Sequence, residues 1–561
     1  MDNQRAFVWI ALAVVLWLNF DAWQKQFGRS EQPALPSATV TNSSTSPAAS
    51  SDSLPPLPTV TETPTPNQVA PDPGALETPK AADARKIRVF TDVLDIDIGT
   101  RGGELQRADL LKYPKVKNQP NNPVRMFTTA PGQVFVARSG LQSEANRAQP
   151  SNSAVFEAGA DEYRWKPTDQ QLEVPLTWTD GQGLKVVKTY IFRPGSYRID
   201  LRYDVTNDSG SDWKAASYVE LVRHYEPVSR SYFNVESYAY RGPVIYDTKY
   251  RKLKIEDEDD SKYNTSATGG WMAALQHHFV AAAIPPPQVK YEFRLGINPA
   301  KDYTLFYRGP LIAIPAGSNH TFKETLFVGP KLQEQLVAID ENLRLTADYG
   351  RLTIIAKPLF LLLKFVHEWV GNWGWSIVIV TLLIKLAFYR LTAASGRSMA
   401  KMRNLGPRIK AIQERYKDDR EQLGKQMMEI YKREKINPLA GCLPVLIQIP
   451  FFFAYYWVLL ESVEMRQAPF LGWITDLSSR DPFFILPILM CAAMVAQFRL
   501  QPMPSTDPLQ AKIFGFMPVI MSVTMAWFPA GLVLYWLTNT VLSIAQQWRI
   551  NKLVAAEAKT A

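Results

Sequence analysis

The chain has 561 residues, 46% of them hydrophobic and 20% charged, with 62 Lys and Arg against 53 Asp and Glu and a formal net charge of +9. This composition excludes a collagenous chain, a disulfide scaffold (the two cysteines are Cys442 and Cys491) and a wholly disordered chain, and the length predicts about three or four domains. The mean hydropathy of −0.14 averages unlike parts: residues 351–561 hold 24 basic and 13 acidic residues, so the positive excess lies wholly there. Basic clusters between long apolar runs point to membrane topology before nucleic acid, and no DNA partner is expected.

After residues 1–5, a first span is expected over 6–23: residues 6–20 read AFVWIALAVVLWLNF, and Trp23 is an interfacial anchor. An uncleaved signal anchor is expected. A cleavable signal peptide competes, but its basic region would hold only Arg5 and no A-x-A-like site follows. Residues 24–84 read as a disordered tether. The stretch 32–80 has 11 prolines and no aromatic residue, too little apolar surface to fold.

From 85 to 345 the pattern is β. IRVFTDVLDIDIGT, LKVVKTYIFRP and YRIDLRYDVTND alternate, and turn clusters such as Arg101-Gly102-Gly103 and Asp180-Gly181 separate the runs. An all-β sandwich is predicted. It lacks cysteine, so a large core must hold it together.

Residues 350–371 are apolar but carry Arg351, Lys357, Lys364, His367 and Glu368, the pattern of an interfacial amphipathic helix. Trp369, Trp373 and Trp375 form an aromatic belt, and a span is expected over 372–391. Residues 392–440 hold 12 basic and 6 acidic residues. Met399, Met402, Ile409, Ile412 and Tyr416, then Leu423, Met427 and Ile430, recur at helical spacing on either side of Asp418-Asp419, which predicts an antiparallel helical hairpin. Further spans are expected at 441–462, 482–500, 513–528 and 531–549, with loops at 463–481 and 501–512 and a tail at 550–561. The positive-inside rule puts the 392–440 loop in the cytoplasm and the 463–481 loop outside. The expectation is a polytopic α-helical membrane protein of six spans. Both termini lie inside, and the β domain lies outside between spans one and two.

Lys385 is the sharpest single residue. It sits within SIVIVTLLIKLAFYR, where a central Lys costs roughly 2.5–3.5 kcal/mol on insertion scales. It either snorkels toward the interface near Arg390 or is a cation in a water-filled pocket. Thr381, four residues earlier, shares its face. Gln448, Ser522, Thr524, Thr538, Asn539, Thr540 and Ser543 also lie at membrane depth. Singly, such residues serve as interhelical glue; together with one Lys they point to a shared hydrophilic cavity. Met517, Met521 and Met525 recur every fourth residue, as core packing or as an adaptable surface for apolar partners. The five histidines show no metal-ligand spacing, and His277 and His278 are adjacent, so on a strand they would face opposite sides. No Walker A, G-x-S-x-G or H-E-x-x-H motif occurs, so no cofactor, metal or catalytic site is expected. The basic 392–440 loop suits anionic lipid or ribosomal RNA.

Several stretches resemble the YidC family of membrane-protein insertases. They are GNWGWSIVIVTLLIK, MAKMRNLGPRIKAIQERYKDD, NPLAGCLPVLIQIPFFFAYYWVL, EMRQAPFLGWITDLSSRDPFFILPILM and TDPLQAKIFGFMPVIMSVTMAWFPAGLVLYWLTN, in the family's order along 350–550. IRVFTDVLDIDIGTRGGELQRADLLKYP is similar to the start of the periplasmic β-supersandwich in the Gram-negative form. The resemblance implies an inner-membrane insertase and chaperone for integral membrane proteins and lipoproteins, with five core spans around a groove open to the cytoplasm and lipid. Its implied partners are nascent membrane proteins, membrane lipids, the Sec translocon, and the ribosome through 392–440 and the C-terminal tail. The family's groove cation, usually Arg, falls on Lys385, which keeps the charge but loses Arg's bidentate fork. Thr381 matches a polar residue one turn earlier, and Trp536 falls where Tyr is common. The substrate groove is expected to gather Lys385, Thr381, Gln448, Asn539, Trp536 and Met525. A carbohydrate-active or carbohydrate-binding protein acting through the β domain is the alternative, and it predicts a cleft with paired carboxylate and His groups. A secondary transporter would need inverted repeats, and none is found in spans two to six.

Overall fold

The computed structural model describes residues 85–144, 148–227, 239–347, 349–416, 419–433, 443–500 and 508–560. The expected first span and tether lie outside these residues, as do 501–507. Among the described residues, the β domain consists of two sheets, of eleven and nine strands. Period-two patterning sets their faces. Along Arg198–Asn207, Ile199, Leu201, Tyr203 and Val205 turn inward and the residues between them outward, and the strand pairs with Leu184–Phe192 and Ser318–Pro330. Trp213 and Trp271 are fully buried between the layers. Each such ring contributes roughly 4–6 kcal/mol of apolar burial before entropy is counted.

Two buried polar groups join the sheets. Lys188 donates to the carbonyls of Gly102 (2.8 Å), Gly103 (3.0 Å) and Ser139 (2.9 Å), and burial pushes its pKa down to about 7. The Glu324 carboxyl accepts from Ser217 (2.6 Å), Tyr291 (3.0 Å) and Tyr307 (2.7 Å). Its complete burial pushes its pKa up to about 7 against the pull of those three donors.

His277 and His278 do not lie on a strand with opposed rings. They are the central residues of a tight hairpin between Trp271–Leu275 and Phe279–Ile284, closed by a bond from the Gln276 N–H to the Phe279 carbonyl. A turn abandons the alternation of a strand, so the two rings stack 3.8 Å apart.

The helices that follow are α1 (Thr353–Val370), α2 (Trp373–Ala387), α3 (Tyr389–Asn404), α4 (Gly406–Arg415), α5 (Arg420–Arg433), α6 (Leu443–Glu461), α7 (Ile485–Leu500), α8 (Pro508–Met525) and α9 (Ala530–Thr560). The chain divides into two compact units. One carries α4 and α5, and the other carries the β domain and the remaining helices. Helix α1 buries Leu359, Phe360, Leu363 and Val366 and exposes Ile354, Leu361, Phe365 and Trp369. It ends at Gly371, whose φ of 68° is left-handed.

The expected continuous helix through Met399–Tyr416 breaks at Leu405. Pro407, which lacks an N–H, stands in the first turn of the next helix. Helix α3 instead packs Ala400 against Ile550 and Val554, so the expected tail at 550–561 continues α9. Among the described residues, no single helix is long and apolar enough to cross a membrane. Helices α2 and α3 pass that test as a pair, bent by 71°.

Candidate functional site

Helix α2 starts at Asn372, whose side chain accepts from the Trp375 N–H at 3.1 Å, and Lys385 lies in its last turn. The Lys385 ammonium is half-buried and donates to the Ser543 hydroxyl at 2.8 Å, which in turn donates to the Asn539 carbonyl at 2.7 Å. Lys385 thus turns toward α9. Thr381 donates to the Ile377 carbonyl one turn back, at 2.6 Å, which satisfies its hydroxyl within the helix.

These groups surround a cavity of about 40 Å³ lined by Thr381, Lys385, Thr392, Gln448, Tyr535 and Asn539, together with apolar Ile384, Phe388, Leu391 and Phe451. A volume of that size holds a few water molecules. Four expected groove residues, Lys385, Thr381, Gln448 and Asn539, therefore converge on one polar space between α2, α6 and α9.

Trp536 and Met525 do not line it. Trp536 packs edge-on against Phe452, with ring centroids 4.6 Å apart, and Met525 is buried in the helical core. The reason is helical phase: Tyr535, Asn539 and Ser543 follow one another every four residues on one face of α9, and Trp536 is rotated about 100° from them. Tyr535, stacked on Tyr455 with centroids 4.4 Å apart, is the aromatic residue that α9 brings to the cavity. Its sequence neighbours Leu534, Trp536 and Leu537 are apolar, so nothing marked it. Ser543 stood among the polar residues of the last span, and only the fold reveals it as the partner of Lys385.

In the β domain, His224 and Asp302 pair at 2.7 Å on adjacent strands, and Glu324 is sealed in the core. Neither lines the cavity described above.

A model of the YidC periplasmic domain matches residues 86–362, and a model of the 60Kd inner membrane protein matches residues 365–557. The membrane protein insertase YidC of Methylococcus capsulatus is 46% identical over 480 residues, 85% of this chain and 87% of that one. That of Thioalkalivibrio sulfidiphilus is 43% identical over 572 residues, 100% of both chains. A solved structure described as an active YidC insertase with its first transmembrane domain resolved is 18% identical, covering 82% of this chain and 92% of that one at a TM-score of 0.37. These matches run through both the β domain and the helices and do not favour the carbohydrate alternative. The chain belongs to the YidC family of membrane protein insertases, with a periplasmic β-sandwich domain followed by a helical C-terminal region.

Proposed function

We propose that this chain inserts hydrophobic segments into the inner membrane, and helps them fold, through the polar space around Lys385. The observation that carries the reading is the convergence of one ammonium with Thr381, Thr392, Gln448 and Asn539 on one cavity, with Ser543 as the ammonium's partner. An incoming segment with a short polar flank faces an apolar layer about 30 Å thick. A hydrated recess part-way through shortens that path. Lys385 attracts acidic residues of the flank and retains water. The apolar part then partitions into lipid, driven by its own burial at about 25 cal/mol per Å². No nucleotide is required by this scheme.

In this reading the chain has six spans with both termini in the cytoplasm, and the β domain lies in the periplasm. Helix α1 lies in the outer interface. The basic 392–440 segment and the C-terminal tail receive substrate or contact the ribosome, and the chain works alone or beside the Sec translocon. The match to an inner membrane protein model supports the location, and the charge asymmetry supports the orientation. The test is insertion of an acidic-flanked substrate into vesicles holding the purified protein. Lys385→Arg keeps most activity and Lys385→Glu loses most of it. Equal insertion by the native chain and both variants overturns the role of the charge.

A further inference from the structure

A second cavity, of about 450 Å³, lies where the β domain meets the segment after α6. Its cations come from places far apart in the chain. Lys115 follows the strand Glu104–Pro114, Arg223 stands near the end of the strand Trp213–His224, and Arg241 precedes the strand Gly242–Tyr246. Arg466 comes from the segment after α6. Asp476 is the one carboxylate among the lining residues, and its Oδ1 already accepts from the Gln467 and Ser478 N–H groups and the Ser478 hydroxyl. Four cations thus face one space against a single carboxylate whose acceptor is in use.

The rest of the β domain matches its arginines with acids. Arg88, Arg107 and Arg125 share Asp95, Asp97 and Asp109; Arg138 pairs with Glu104, and Arg193 and Arg198 share Asp200. Among the described residues of this domain, Arg101, Arg223 and Arg241 are the arginines that pair with no carboxylate. Arg101 is exposed and outside the cavity, whereas Arg223 and Arg241 both line it. Carbonyl groups hold two of the guanidinia without neutralising them. Arg223 donates to the Leu275 carbonyl at 2.9 Å and lies over the Phe135 ring. Arg466 donates to the Pro114 carbonyl at 2.8 Å and lies over the Phe279 ring. Both are oriented before a ligand arrives, which removes part of the ordering cost of binding. A guanidinium has five N–H donors, so these bonds do not exhaust it. Like charges fixed around one recess raise its potential. A neutral ligand leaves that potential unanswered and a monovalent anion answers it in part. A divalent oxyanion brings two charges and acceptor oxygens that point several ways, so it can meet forks arriving from different elements.

We propose that this cavity binds a small multivalent oxyanion, of which phosphate and sulfate are the simplest forms, and that the bound anion bridges the β domain to the segment after α6. Its oxygens accept from Arg223 and Arg241 on the β-domain side and from Arg466 on the other. The stacked His277 and His278 shape the wall and take no part in holding the ligand. A free anion offers this chemistry, and so does the phosphomonoester headgroup of a lipid such as phosphatidic acid.

The test uses the full chain in detergent, titrated calorimetrically at fixed ionic strength with sodium phosphate, sodium sulfate or sodium acetate. Phosphate and sulfate both bind saturably, each at least about tenfold tighter than acetate, because each adds a charge and further charge-assisted bonds. Arg241→Gln, at an exposed position, leaves the thermal unfolding temperature in anion-free buffer unaltered and weakens both at least about tenfold. Arg101→Gln removes an unpaired charge outside the cavity and leaves both affinities unchanged. With either anion bound, amide hydrogen exchange in residues 464–478 slows in the native chain and not in Arg241→Gln. A second arm places the chain in nanodiscs containing phosphatidic acid or phosphatidylcholine and measures retained lipid by native mass spectrometry. Preferential retention of phosphatidic acid that free phosphate displaces identifies the headgroup as the source, and phosphate binding without such retention identifies the free anion. Acetate binding as tight as that of phosphate overturns the proposal, as does undiminished binding by Arg241→Gln or an equal loss in Arg101→Gln. Unaltered exchange in residues 464–478, or no saturable binding of either divalent anion, overturns it as well.

Discussion

Replacing Glu324 by Gln tests how the β domain is stapled. The carboxyl is fully buried among Ser217, Tyr291 and Tyr307 and has its pKa raised to about 7 from an ordinary 4.5. Between those two values the folded chain holds a proton that the unfolded chain has released. Stability therefore falls as pH rises through this window, is highest below about 4.5 as far as this group is concerned, and levels off above about 7. At about 1.4 kcal/mol per pH unit, the loss attributable to Glu324 is about 3 kcal/mol. A Gln side chain has the shape of the neutral acid and does not titrate, and the hydroxyls around it can rotate to accept from its amide. Glu220 and Glu464 also have pKa values raised to about 7 by burial, so the native chain's pH profile has several contributors and only the difference between the two chains isolates Glu324. The assay is thermal unfolding of native and Glu324→Gln chains in the same detergent from pH 4.5 to 8. The native chain loses stability with rising pH more steeply, and Glu324→Gln is the more stable of the two at pH 8. Parallel curves refute the reasoning.

Two further substitutions probe the helical region. A Cβ at Gly374 would stand 2.0 Å from the Phe470 ring and 2.7 Å from its Cβ, so swinging the ring alone does not clear the clash. Overpacking of about 1–3 kcal/mol outweighs the gain of up to about 1 kcal/mol in helix propensity. Gly374→Ala accordingly speeds hydrogen exchange in residues 467–474, and unchanged protection there contradicts the close approach. At the Lys385 cavity, Tyr535→Ala lowers insertion of an acidic-flanked substrate more than Trp536→Ala does, because only Tyr535 lines that space. The reverse order in vesicles would move the groove to the Phe452 side of α9.

How much of this was readable depended on contrast. Arg198–Asn207 alternates cleanly and emerges as a strand in register. Trp271–Leu275 and Phe279–Ile284 are buried at every position, so period two vanishes there and the hairpin that stacks His277 on His278 is hidden. Lys385, Thr381, Gln448 and Asn539 stood out because each interrupts an apolar run. Tyr535 interrupts nothing, and choosing between it and Trp536 requires the rotation of α9 against α6. The 71° bend between α2 and α3 falls at Phe388, where neither Pro nor Gly marks it. Lys188 and Glu324 sit among β-patterned residues as ordinary charges would. Their burial is a property of sheet stacking, and no local pattern carries it.

The ammonium in the Lys385 cavity has an electrical consequence in the proposed reading. A polar recess inside a bilayer is a hazard, since a continuous water file would dissipate the ion gradients across that membrane. The recess has room for a few water molecules. With the Lys385 ammonium anchored on Ser543, an approaching sodium or hydronium ion also meets a fixed like charge. In the proposed reading that fixed charge disfavours the entry of cations.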